Sequence, residues 1–303
     1  MLVHLGYQKA ASTFLQKSVF SNHDVFELPW GNPADEAIEH LVLSHYERLD
    51  FKHLRASTIG VKNRLPVISH EDLLAHPTEG RYYAETTLHR LKSLFPNARL
   101  LICIREQREM FFSLYFQYIR QGGTESLKML LSRHDHQAGF RPMFRRDHFE
   151  YDLMLDLVLR FFPAEQVLMQ PHEFLRTDPK RYFSQLSGLC EMPISAASPD
   201  RVVNMRIAGP ALPIQRMLNR LITQRPHPGI EYDQSPLSMR IKNRAVRVAD
   251  RLLGSSSRLS QRFDQRIRNT IEEMLGSYFA QSNSRLAKML DIDLKSLGYR
   301  TMD

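Results

Sequence analysis

This sequence has little cysteine and lacks long apolar runs. Only two cysteines occur in 303 residues, and neither has the spacing of a metal ligand set, which excludes a cysteine-rich metal centre. The longest wholly apolar runs, such as residues 100–104, are far too short to span a bilayer. Internal repeats, coiled-coil heptads and low-complexity tracts are missing as well. Since a short strand, not a signal peptide, comes first, we expect a cytoplasmic protein, with membrane contact at most peripheral.

The composition describes a folded chain with one unusual charge distribution. Its 43% hydrophobic content is enough for a real core, and we expect a single domain over 1–303, with an α/β part over 1–200. Residues 201–270 hold fourteen Lys+Arg and four Asp+Glu, a local balance of +10 within a total of +8, which leaves −2 elsewhere. We therefore expect a helical, basic extension over 201–303 that faces an anionic partner, or else only a solvated arginine-rich surface.

The first twenty residues carry the strongest local pattern. Leu2, Val3 and Leu5 form a short apolar run that predicts a buried strand. Gly6 then allows the backbone to turn sharply, and Ser12 and Thr13 are good helix-starting residues. Because a tight turn and a helix N-terminus direct free N–H groups to one point, this segment predicts an anion-binding site.

The order of residues in this loop is informative. A Walker loop needs a second glycine and a lysine directly before the hydroxyl residue, but here Lys9 follows the only glycine by three positions. The octet Gly6-Tyr7-Gln8-Lys9-Ala10-Ala11-Ser12-Thr13 instead resembles the 5′-phosphosulfate-binding loop of sulfotransferases that use PAPS (3′-phosphoadenosine 5′-phosphosulfate). The alternative is an ordinary strand–helix turn with an exposed lysine.

The resemblance implies a role for each residue of the loop. Lys9 would contact the bridging oxygen and the 5′-phosphate, and Ser12 and Thr13 would bind the same phosphate. The remaining implied nucleotide contacts are Gly6, Ala10 and Ala11. Ala11 stands where many members of the family have glycine.

A candidate general base follows the second strand. Residues 65–68 form this short apolar strand, which ends at Ser69, and the Ser-x-Glu pattern that includes His70 and Glu71 resembles a strand end of bacterial sulfotransferase-like proteins. A histidine titrates near neutrality and a carboxylate can be tuned to accept a proton, so both are candidates. By motif position we favour Glu71 over His70. The alternative is that Ser69 or Asp72 only caps a helix over 73–76.

A second phosphate-binding element follows the third strand. The apolar strand 99–104 ends at Arg105, and Ser113 lies eight residues further on. This spacing resembles the family's 3′-phosphate element, Arg-x7-Ser, which is followed here by Tyr115 and Arg120. A guanidinium can fork onto a phosphate while a hydroxyl donates to the same group.

Later parts of the chain match less specifically. The run around His172 and Glu173 resembles a family passage whose role is mainly architectural. Late basic residues complete the 3′-phosphate site in other members, and the candidates here are Arg206, Arg240 and Lys242.

Strands that alternate with helices predict a doubly wound α/β fold, with a central parallel sheet flanked by helices. The resemblance implies the P-loop NTPase-like sulfotransferase fold and the transfer of a sulfuryl group from PAPS to a hydroxyl or amine, leaving PAP. We expect no metal requirement, a carbohydrate or glycolipid acceptor, and no nucleic-acid partner.

Two other function classes remain open. One is a P-loop kinase or NTPase, which the position of Lys9 disfavours. The other is an arginine-rich module that binds nucleic acid or a membrane through residues 201–270. The chain lacks the alternation of aromatic and basic residues found in common RNA-binding modules, which disfavours the nucleic-acid form.

Overall fold

The computed structural model describes residues 1–31, 35–56, 64–132, 143–195, 211–223, 244, 248 and 258–302. The predicted late basic residues Arg206, Arg240 and Lys242 lie outside this described part.

Seven described strands form a large and a small sheet. Their bounds are β1 Leu2–Leu5, β2 Phe26–Glu27, β3 Leu65–His70, β4 Ala75–His76, β5 Arg81–Tyr82, β6 Arg99–Ile104 and β7 Val167–Pro171. The large sheet has the order β2-β3-β1-β6-β7 and is parallel throughout, which confirms the predicted parallel sheet. The two remaining strands, β4 and β5, pair as a small antiparallel hairpin.

The helices connect and cover these strands. Their bounds are α1 Ser12–Phe14, α2 Asp35–Leu43, α3 Phe51–Ala56, α4 Ala84–Leu94, α5 Gln107–Arg120, α6 Leu127–Ser132, α7 Tyr151–Leu159, α8 Phe174–Thr177, α9 Pro179–Cys190, α10 Ala211–Leu218, α11 Arg258–Leu275 and α12 Ala280–Leu290. A π-helical segment, Leu15–Val19, continues α1. None of the described helices is both long and apolar enough to cross a membrane.

The core is built on the centre of the large sheet. All four residues of β1 are buried, as are Leu100 to Ile104 in β6. Both strands are covered on both faces of the sheet, and strands in that position have mainly apolar sequences. The late helices join the same core: α11 packs on α5 and α6, α12 packs on α7, and Ile271 and Leu286 belong to the central hydrophobic cluster.

The strand order determines where a site can form. The chain goes from β1 to one side of the sheet for β2 and β3, and then crosses to the other side for β6 and β7. Open parallel sheets bind ligands beyond the carboxyl ends of the strands at such a reversal. Here those ends are Leu5, His70 and Ile104, so a ligand site is expected in the segments that follow them.

Candidate active site

The loop after β1 lies directly against the end of β3. Leu5 pairs in register with His70, and the Gly6 amide donates to the His70 carbonyl at 3.5 Å. A Cβ atom on Gly6 would lie 2.7 Å from Ser12 Oγ and 3.3 Å from the Glu71 Cα. Only glycine therefore fits without displacing the start of α1 or the residue after β3.

The backbone of this loop is strained at two non-glycine residues. Lys9 and Ala11 have φ angles of 66° and 71°, in the left-handed region that costs an L-residue about 1–2 kcal/mol. Ala11 is the N-cap of α1 and is the position where the sulfotransferase loop often has glycine, which has no such penalty. Strained backbone of this kind concentrates at functional sites.

Neighbouring contacts anchor the strained loop. Tyr7 is buried, its hydroxyl donates to the His148 carbonyl at 2.8 Å, and its ring packs edge-on to Tyr151 with the centroids 4.8 Å apart. Gln8 Nε2 donates to Asp72 Oδ1 at 3.0 Å. The loop is thus fixed at both residues between Gly6 and Lys9 before any ligand arrives.

Two side chains of the loop suit an anion. Ser12 is buried, and its hydroxyl has no hydrogen-bond partner within the described residues. Lys9 is half-buried, and burial lowers the pKa of its ammonium group, while nearby Glu71 opposes that shift. A buried hydroxyl and a desolvated cation together fit an anionic group, which would supply the missing hydrogen-bond acceptor and the counter-charge.

The two candidate bases differ in their surroundings. His70 Nδ1 accepts a hydrogen bond from the Asp72 amide at 3.1 Å. Burial, reinforced by the charge of Asp72, raises the pKa of Glu71, while Lys9 opposes this shift. The two candidates thus differ: His70 has a backbone hydrogen bond on its ring, and Glu71 has a carboxyl group whose pKa is raised.

The segment after Asp72 is not a helix. Residues 75–76 form strand β4, paired with β5, so the alternative of a capped helix over 73–76 is wrong. The Asp72 carboxylate accepts from Gln8 in the β1 loop and lies 3.8 Å from His76. The polar residues after β3 therefore connect two loops at the sheet edge.

Arg105 reaches the same loop from the end of β6. Its Nη1 donates to the Lys9 carbonyl at 3.2 Å, and its Nη2 lies 3.7 Å from Glu109 Oε2. Arg105 Nε is buried and has no hydrogen-bond partner in the described part of the chain. The structure therefore brings the predicted Lys9 and Arg105 together at one edge of the sheet.

Ser113 is half-buried on α5, one helical turn after Glu109. Glu109, which no sequence motif marks, lies beside Arg105. Thr13 is half-buried in the first turn of α1.

A late arginine also approaches this group. Arg268 of α11 makes a bidentate ion pair with Glu109, with one N–O distance of 3.3 Å, and its guanidinium lies 4.2 Å from the Phe112 ring centroid. No motif marks Arg268 in the sequence, since only the packing of α11 on α5 brings it here. It belongs to the basic segment 201–270 but was not among the predicted residues.

A cavity of about 670 Å³ opens on the α5 side of Arg105. Its lining includes Arg105, Glu173 from the loop after β7, and Leu297 and Gly298 from the chain after α12. Among the described residues, no cluster of three or more His, Cys, Asp or Glu side chains is placed to hold a metal ion.

Comparison with solved structures identifies the fold. A crystal structure of a sulfotransferase from Alicyclobacillus acidocaldarius superposes with a TM-score of 0.55, at 15% sequence identity, over 97% of this chain and 97% of that one. This chain has a sulfotransferase fold. The sulfotransferase domain from the curacin biosynthetic pathway also matches, with a TM-score of 0.37 and 13% identity, over 80% of this chain and 96% of the domain.

The other two comparisons gave no match: no protein-family model and no curated protein sequence matches the chain. In this sulfotransferase fold, the loop after β1, the end of β3 and the end of β6 meet at one edge of the sheet.

Proposed function

We propose that this protein is a sulfotransferase that takes a sulfuryl group from PAPS and transfers it to a hydroxyl or amine of an acceptor. The observation that carries the proposal is the hydrogen bond from Arg105 to the Lys9 carbonyl, because it joins two candidate anion-binding residues from separate strands. A nucleotide with phosphate groups at its 5′ and 3′ positions needs two such cationic points.

The residues of the β1 loop fit the 5′ end of this donor. The orphaned Ser12 hydroxyl, the close approach at Gly6 and the half-buried Lys9 form a small polar cradle. In the proposed reaction Lys9 neutralises charge on the leaving phosphate, and Ser12 and Thr13 donate hydrogen bonds to it. PAPS supplies its own activated sulfuryl group, so the chain's main tasks are positioning and charge neutralisation.

Glu71 is the proposed base. It follows β3 beside the loop, its raised pKa brings it closer to neutral pH, and its carboxylate can take a proton from the acceptor. We propose a carbohydrate or glycolipid as the acceptor, supported by the basic segment 201–270 and by hydrogen-bonding groups such as Gln8 and Asp72 around Glu71.

Arg105 and Ser113 are proposed to hold the 3′-phosphate. Arg105 Nη2 lies 3.7 Å from Glu109, beyond hydrogen-bond distance, and the Nε atom lacks a partner among described residues, so the guanidinium retains donors for an anion. Arg268, paired with Glu109, adds a second guanidinium to this end of the site.

The test combines binding and turnover. PAP at about a hundred times its Kd should stabilise the fold by roughly 2.7 kcal/mol. Transfer of labelled sulfate from PAPS to a panel of acceptors would then identify the substrate. Lys9→Ala should reduce turnover by about 10² or more, by analogy with the loss of one preorganised oxyanion donor. Arg105→Ala should mainly weaken the binding of PAPS and PAP.

Lys17→Ala is the matched control. Lys17 is exposed eight residues after Lys9, so its loss changes the net charge equally without touching the loop. Stabilisation by ATP with Mg²⁺ but not by PAP would favour a kinase or NTPase. Steeply salt-dependent nucleic-acid binding that survives Lys9→Ala would favour the arginine-rich binding module.

A further inference from the structure

The peptide unit that follows Arg105 is held on both sides. On one side the Tyr151 hydroxyl donates to the Arg105 carbonyl at 2.7 Å. On the other, the Glu106 amide donates to Glu173 Oε1 at 2.9 Å. Since these two bonds fix the plane of one peptide group, they fix the backbone direction at Arg105 and therefore the starting direction of its side chain.

Glu173 is itself held in place. It is 9% exposed, and its second oxygen accepts a hydrogen bond from the Tyr299 hydroxyl at 3.0 Å. Although burial opposes ionisation, His172 and the Glu106 amide lower the pKa of Glu173, so it carries a charge at neutral pH. A buried, ionised carboxylate that accepts two hydrogen bonds is a rigid acceptor.

Tyr299 reaches Glu173 because the chain after α12 is tied to α5 and α12. Arg108 donates to the Gly298 carbonyl at 2.9 Å, and Asn283 donates to the Arg300 carbonyl at 2.9 Å. Tyr299 between them is 2% exposed. Residues from α7 and the loop after β7 thus bond to one peptide group, and the segment after α12, tied to α5 and α12, supports Glu173.

We propose that Tyr151, Glu173 and Tyr299 are positioning residues that hold Arg105 ready for an anionic group of the nucleotide. The inference rests on the proposed function, in which Arg105 binds the donor. Without the clamp on its backbone, Arg105 would have to be ordered at the moment of binding, and the free energy of ordering would be lost from the affinity. None of the three hydroxyl or carboxyl groups needs to touch the nucleotide.

The direction in which Glu173→Ala changes the affinity for PAP distinguishes a positioning role from simple electrostatics. Glu173 is a negative charge near Arg105, so its removal should tighten the binding of an anion if only Coulomb attraction matters. If Glu173 positions Arg105, Glu173→Ala should weaken binding instead. Glu173→Gln should restore most of the affinity, because its amide oxygen can still accept from the Glu106 amide.

The experiment measures PAP binding by calorimetry, together with KM for PAPS and kcat. We expect Glu173→Ala to weaken PAP binding about tenfold, and Tyr151→Phe and Tyr299→Phe to weaken it several-fold, with kcat at saturating PAPS nearly unchanged. The tyrosine variants change no charge and keep the test valid if Glu173→Ala fails to fold. Tyr182→Phe is the matched control, since its buried hydroxyl contacts Cys103 in β6 rather than the clamp.

A double-mutant cycle with Arg105→Ala decides the outcome. If the clamp acts through Arg105, the tyrosine substitutions should have no further effect on PAP binding once Arg105 is gone. Additive effects, or a tighter Glu173→Ala protein, would overturn the clamp and leave the proposed function standing. Unchanged PAP binding in Arg105→Ala alone would overturn both.

Discussion

Substitution of Gly6 by alanine tests the geometry on which the site depends. The new Cβ would lie 2.7 Å from Ser12 Oγ, 3.3 Å from the Glu71 Cα and 3.4 Å from His4 Cε1. The serine hydroxyl could rotate, but Glu71 Cα is backbone, and the His4 ring is held by Ser69 at 2.8 Å.

The size of the effect follows from these contacts. Overpacking of a filled site destabilises the folded protein by about 1–3 kcal/mol. Because alanine restricts the unfolded chain more than glycine does, the substitution also stabilises the folded protein by about 0.4–1 kcal/mol. We therefore expect Gly6→Ala to lower the free energy of unfolding by about 1–2 kcal/mol. The displaced Ser12 hydroxyl should also weaken PAP binding.

Urea unfolding, followed with and without PAP, measures both effects. The midpoint should fall while the m-value stays constant, since the surface exposed on unfolding does not change. Gly188→Ala is the control. Gly188 lies inside α9, and no atom lies within 4 Å of the position of an added Cβ, so the free energy of unfolding of this variant should rise by up to about 1 kcal/mol. A Gly6→Ala protein with wild-type stability and PAP affinity would refute the close approach described here.

Three further predictions concern charge. The pH profile of kcat/KM should be bell-shaped: activity rises as Glu71 deprotonates above its ordinary pKa of 4.5, and falls as Lys9 loses its proton below 10.5, whereas a flat profile would contradict these roles. Burial lowers the pKa of His4 and His148 to about 3, below the unfolded value of 6.5, so stability is lost as the pH falls from 6.5 towards 3. Urea unfolding at pH 5 should show a loss of about 2 kcal/mol per histidine, and NMR titration of either ring near 6.5 in the folded protein would contradict it. Glu109→Gln should tighten PAP binding about threefold to fivefold in calorimetry, because it removes a carboxylate beside Arg105; weaker binding would show that Glu109 supports the site.

The large sheet could be predicted because its central strands are buried on both faces. The runs at 2–5 and 99–104 are mainly apolar, with His4 and Arg99 as their polar members, and the strands observed there have the predicted bounds. The hairpin of β4 and β5 could not be predicted, since strands of two residues have no periodicity.

Some residues of the candidate site could likewise be predicted from the sequence, and others could not. Arg105 directly follows one apolar strand and Lys9 lies close after another, so a parallel sheet must bring them to one edge. Glu173 and Tyr299 are different, since they lie 126 residues apart in sequence and meet only through the packing of the late segment. The family passage marks Glu173 in the sequence, but no local pattern shows that Tyr299 meets it.

The contact between Glu173 and Tyr299 has a consequence for folding. Interactions between such distant parts of a chain form late and slow the folding of a domain. A nascent or partly unfolded molecule could contain the complete sheet and still lack an ordered Arg105. Competence to retain a nucleotide would then arise in the last stage of maturation, after most of the secondary structure is already in place.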